Sequence, residues 1–106
     1  MRITINVTKR DITTSGEVDC PITRALRRVL GVRKNSRLGD GLLVGDTVIY
    51  FMPEDSWDDV DLASMPQLAQ AFVDDFDNDR PLAPFSFVAN FNQASAKRVG
   101  LTLPTA

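Results

Sequence analysis

MRITINVTKRD, residues 1–11, sets Ile3, Ile5 and Val7 against Thr4, Asn6 and Thr8 in strict alternation. Successive side chains of an extended chain point to opposite faces, so the stretch reads as a strand with one buried face. It alternates too regularly, and its apolar run is too short, for a signal peptide. No stretch approaches the roughly 18 apolar residues of a membrane span. The sequence therefore predicts a cytoplasmic chain with no membrane contact.

Beyond residue 11 the period changes. DITTSGEVD (11–19) holds a turn signal at Ser15 and Gly16 and then acids that favour a helix start. Pro21 suits the first helical turn, where its missing N–H costs nothing. Ile22, Leu26, Val29 and Leu30, with Ala25 beside them, then follow helical spacing, and Gly31 closes the helix. Gly45 and Asp46 stand between the apolar runs LLV and VIYFM, which predicts a hairpin with strands near 37–44 and 47–52, ended by Pro53. The acidic residues 54–63, which include Trp57, read as an ordered loop or a short turn of helix.

Ser64 then caps a second helix with Pro66 in its first turn and a buried face of Leu68, Ala69, Phe72, Val73 and Phe76. Pro81 and Pro84 bracket a break before a final strand, where Phe85, Phe87, Ala89 and Phe91 alternate with Ser86, Val88 and Asn90. Residues 92–106 form a polar tail, extended or frayed unless Leu101 and Leu103 lie against a neighbour.

The expected fold is α+β: one domain over 1–106, ordered β-α-β-β-α-β, with both helices on one face of a mainly antiparallel four-stranded sheet. A ferredoxin-like split βαβ pairing is one arrangement that satisfies this order. The other sheet face would be polar, or an interface.

Charge narrows the chemistry. Twelve Lys and Arg against fourteen Asp and Glu leave a net charge of −2, so only a local cluster can attract an anion. With no histidine and a single Cys20, the chain cannot build a His-based triad, an internal disulfide or a structural zinc site by itself. Cys20 sits at a helix start, where amide dipoles favour a thiolate, but Asp19 opposes this and no base stands by. No catalytic residue, metal site or cofactor is therefore expected. PEDSWDDVD and VDDFDND supply many carboxylates but lack the glycine and closing glutamate of a calcium loop, and they read as a solvated or docking surface.

One cluster stands out. Arg24, Arg27, Arg28, Arg33, Lys34 and Arg37 fall within fourteen positions that contain no acid. Arg24 and Arg28 lie one turn apart, and guanidinium forks match phosphate oxygens two at a time. These six residues are the candidate anion site, weighed against an ordinary solvated helix face. Trp57, with Asp55, Asp58 and Asp59, is the candidate contact for a protein partner.

CPITRAL (20–26), FVDDFD (72–77) and PFSF (84–87), together with the opening strand, resemble a family of small uncharacterised bacteriophage and prophage proteins with a Cys-Pro-Ile helix and a Pro-Phe-Ser-Phe strand. The likeness covers about half of the chain, leaves 31–63 matched only in general character, and carries over no catalytic residue. It implies an origin in a mobile element and a place in the host cytoplasm. Together with the missing catalytic groups, it implies a non-enzymatic accessory protein that inhibits a bacterial defence system by binding. Such a protein would either block a host defence protein or sequester a small anionic nucleotide messenger. Messenger capture would need a concave site, completed by a second copy in a homo-oligomer. The alternative is a small nucleic-acid-binding regulator using the basic helix. It is disfavoured because the net charge is negative and no aromatics are interleaved with the basic residues.

Overall fold

The computed structural model describes residues 1–14, 20–56 and 58–104. The turn expected at Ser15–Gly16, the acids Glu17 and Asp19, and Trp57 lie outside the described residues. In chain order the elements are β1 (Arg2–Val7), α1 (Lys9–Thr14), α2 (Pro21–Leu30), α3 (Arg37–Gly41), β2 (Leu42–Val44), β3 (Val48–Phe51), β4 (Val60–Ser64), α4 (Gln67–Asp77), β5 (Phe85–Phe91) and α5 (Gln93–Val99).

The five strands form one curled antiparallel sheet in the order β1-β5-β4-β3-β2, with β1 at an edge. The first and last strands are neighbours. Ile3, Ile5 and Val7 stand opposite Ala89, Phe87 and Phe85, so their apolar rows share one face. That face is covered: α2 lays Ile22, Ala25 and Leu26 against it, all completely buried, and Phe72 of α4 stacks on Phe85 with ring centroids 4.6 Å apart. Each such Leu, Ile or Phe contributes about 1.5–3 kcal/mol by leaving water. On the other face of β1 and β5, Arg2, Thr4, Asn6, Ser86, Val88 and Asn90 are exposed. The radius of gyration is 13.0 Å, close to the roughly 13 Å of one packed domain of 100 residues.

The α+β class and the opening and closing strands match the sequence expectation. In detail the described residues hold five strands and five helices, where four and two are expected. A ferredoxin-like split βαβ sheet places its first strand inside, between the last strand and a strand of the hairpin; here β1 lies at the edge and β4 stands between β5 and β3. The extra strand, β4, comes from the stretch read as loop. Val60, Leu62 and Ala63 are all buried, and the register shifts opposite Ile49 and Tyr50. Such an irregularity puts two buried residues in succession and breaks the alternation by which a strand is recognised.

Three short helices were also unexpected. Thr8 and Asp11 form a capping box that starts α1: the Thr8 N–H donates to Asp11 Oδ2 at 2.9 Å, and the Asp11 N–H donates to Thr8 Oγ1 at 3.2 Å. Ser36 caps α3 by accepting from the Gly39 N–H, so residues 37–41 coil where a strand is expected and the hairpin shortens to 42–44 and 48–51. Gly39 and Gly41 serve close approach: a Cβ on Gly39 would collide with the Arg33 carbonyl, and one on Gly41 with the Phe51 ring. Within the stretch expected as an extended or frayed tail, residues 93–99 form α5. Asn92 caps α5 by accepting from Ser95 N–H, Gly100 ends it in the left-handed region at φ 83°, and Leu101 is buried in the core.

α4 starts later than expected, with Pro66 rather than Ser64 at the cap. Ala69, Phe72 and Val73 form its buried stripe, Phe76 is half-buried, and Leu68 is 59% exposed.

Candidate functional site

α2 turns its apolar stripe to the sheet, which leaves its arginines on the outer side. Its end is sharp. Gly31 takes φ 67°, a left-handed conformation that lets its N–H reach the carbonyls of Arg27 and Arg28. The chain folds back there, with Val32 N–H on the Arg27 carbonyl at 2.9 Å, and brings Lys34 beside the helix. The result is an open groove of 380 Å³ whose described lining is Asp11, Arg24, Arg27, Arg28, Val32 and Lys34.

Four of the six expected cations thus meet at one concavity, facing one described carboxylate. The other two go elsewhere. Arg33 is exposed, and its carbonyl serves the turn into α3 by accepting from the Ser36 hydroxyl at 2.6 Å. Arg37 ties α3 to α5: its Nη2 donates to the Val99 carbonyl at 2.8 Å and its guanidinium lies 5.6 Å from the centre of the Phe51 ring. This is a packing role, outside the groove lining.

Within the groove the cations are unequal. Arg28 grips Asp11 with a two-pronged bond, Nη1 to Oδ1 at 2.7 Å and Nη2 to Oδ2 at 2.8 Å, and its Nη2 also donates to the Asn6 carbonyl at 2.8 Å. Its side chain is 49% exposed while that of Asp11 is 4% exposed. Burial alone would push the Asp11 carboxyl up, but the bonds from Arg28 and Thr8 outweigh it and hold the carboxyl below its ordinary value. The Asp11 bond in turn raises the Arg28 guanidinium further. Arg28 therefore joins α2, α1 and the edge of β1, and most of its donors are already engaged. Arg24 differs: its Nε is buried and has no hydrogen-bond partner among the described residues. A donor in that state is usually matched by an anion or water.

Asp11 escaped the reading of the sequence, although Thr8-Lys9-Arg10-Asp11 has capping-box spacing that was there to be read. That Asp11 also bonds Arg28, seventeen residues away, has no local signal.

The acidic candidates separate. Asp55 lines a cleft of 450 Å³ with Asp40, Leu43, Met52 and Glu54. Asp58 and Asp59 are exposed, the Asp58 N–H donating to Ser56 Oγ at 3.1 Å, and Trp57 lies outside the described residues. Among the described residues no three acids or cysteines converge as metal ligands would. Cys20 occupies the N-cap position of α2, partly buried, and its carbonyl accepts from Thr23 N–H at 2.9 Å.

No family model, no curated protein and no solved structure matches the chain. No helix among the described residues is long and apolar enough to cross a membrane.

Proposed function

We propose that the protein works by binding, and that the groove of α2 holds the phosphate of a small anionic nucleotide. In the setting implied by the phage-family resemblance, this is a non-enzymatic accessory protein of the host cytoplasm that sequesters a messenger of a bacterial defence system. The observation that carries the reading is the convergence of Arg24, Arg27, Arg28 and Lys34 on one concavity, with Arg28 held in place by buried Asp11. A volume of 380 Å³ falls in the range of about 300–1,000 Å³ typical of small-ligand sites. Arg24 and Arg27 are the residues assigned to phosphate; Arg28 is the positioning residue.

The test is calorimetric titration with cyclic and linear nucleotides at low salt. Saturable binding is expected for at least one of them, lost on Arg27→Glu with the fold intact. Absence of heat with every nucleotide removes the reading.

The cleft beside Asp55 supports a second reading, in which a basic host protein is blocked at the acidic surface. Arg27→Glu would leave that activity unchanged. A nucleic-acid regulator would instead show affinity for long polymer with a steep salt slope, which one compact groove on a net-negative chain does not favour.

A further inference from the structure

A second groove, of 250 Å³, runs between α4 and the segment that joins it to β5. Leu68, Ala71 and Phe72 form its helix wall, and Leu82, Pro84 and Phe85 form the other. Residues 68, 71, 72 and 75 fall at i, i+3, i+4 and i+7, a stripe displaced by one position from the buried stripe of the same helix. Leu68 is consequently left 59% exposed while its neighbour Ala69 is completely buried. Phe72 belongs to both stripes and is stacked on Phe85, so the floor is made of packed aromatic rings. Pro81 and Pro84 frame the rim, and a proline brings no main-chain N–H that would need water.

The far end of the same helix is acidic. Asp74, Asp75, Asp77 and Asp79 are answered by Arg80, which bonds Asp74 at 2.8 Å and Asp75 at 3.0 Å. Asp75 itself lines the groove. Apolar floor and net negative end are therefore continuous.

We infer that this groove docks an amphipathic basic segment of a partner protein, with one or two apolar side chains beside Leu68 and Phe72 and a lysine or arginine over the acidic end of α4. The volume is below the roughly 300 Å³ at which small-ligand sites begin, and suits side-chain anchors. Charge complementarity selects the basic partner. A second copy fits less well: on the basic helix α2, Ile22 and Leu26 are fully buried and Val29 is partly buried, and neither of the exposed large hydrophobics among the described residues, Leu68 and Val88, lies on that helix to serve as an anchor. The surface is distinct from the α2 groove and does not depend on its ligand.

Two synthetic amphipathic peptides of equal length, with the same leucine anchors and either lysine or glutamate at every charged position, test this by amide chemical-shift titration of the isotope-labelled protein. The lysine peptide is expected to give saturable shifts confined to residues 68–75 and 81–85, weakened at about 0.5 M salt, where surface attraction is screened. Leu68→Ser, at an exposed position that leaves the fold unaltered, is expected to weaken binding at least about tenfold, as loss of a central anchor does. Asp75→Asn with Asp77→Asn is expected to reduce the salt dependence. Equal binding of the glutamate peptide, shifts centred elsewhere, or full affinity in Leu68→Ser overturns the inference. So do concentration-dependent shifts of the same residues without peptide, which would mean that a second copy covers the groove.

Discussion

Replacing Asp11 by alanine removes three hydrogen bonds at once: two from Arg28, at 2.7 and 2.8 Å, and one from the Thr8 N–H at 2.9 Å. The capping bond is worth about 1 kcal/mol. The ion pair lies between two limits, because Asp11 is buried and Arg28 is 49% exposed: fully exposed pairs contribute about 0.5 kcal/mol, and breaking a fully buried one costs about 3–5. A value near 2 kcal/mol for this half-buried pair brings the total to about 3 kcal/mol, a large part of the roughly 5–15 kcal/mol that holds a domain of this size together. Melting should fall by about 10–20 °C.

Urea and thermal unfolding followed by circular dichroism measure this directly. A cycle of Asp11→Ala, Arg28→Met and the double variant isolates the pair, with an expected coupling of about 1–2 kcal/mol. The pH dependence has a definite sign. The Asp11 carboxyl is held below its ordinary 3.8 in the fold. Its contribution is therefore complete above the unfolded-state value and drains away as pH falls through the lower folded-state value. The stability gap between wild type and Arg28→Met should close below about pH 4. A variant Asp11→Ala within about 0.5 kcal/mol of wild type, or a gap that does not change with pH, refutes the reasoning.

Four further outcomes are expected. Gly39→Ala places a Cβ against the main-chain carbonyl of Arg33 and should cost about 3 kcal/mol or more, read as a lower urea midpoint, because backbone on both sides cannot yield. Asp79 holds φ 54° just beyond α4; Asp79→Gly relieves that conformation and should raise stability by about 0.5–1 kcal/mol in the same assay. Asn92→Ala, which removes the α5 cap, should cost about 1 kcal/mol, and Leu101→Ala about 2–3 kcal/mol by opening a cavity, whereas a tail outside the core would show neither loss.

The elements that were legible are those whose residues answer to one partner surface. β1 and β5 alternate cleanly because each has one face on the core and one in water. α2 has a clean apolar stripe, a proline at its start and a glycine at its end. β4 was hidden because a register shift puts Leu62 and Ala63 in the core side by side. α1, α3 and α5 are held by caps at Thr8, Ser36 and Asn92, and with lengths of 6, 5 and 7 residues they are too short for a hydrophobic period to show. Leu68 reads as core by spacing alone and is exposed, since helical period says which side chains share a face and nothing about which face the sheet reaches.

The candidate site divides the same way. That arginines crowd α2 and its exit, and that neither a histidine nor a disulfide takes part, follows from composition and spacing, which are properties of the chain before it folds. Which arginine is available for a ligand does not. Arg28 is engaged because folding carries Asp11 and the edge of β1 to it, and Arg37 is withdrawn because α5 brings it the Val99 carbonyl and β3 the Phe51 ring. Period and charge are local quantities, whereas the choice of partner for a long flexible cation depends on which groups burial brings within about 3 Å of it, and only packing sets that distance.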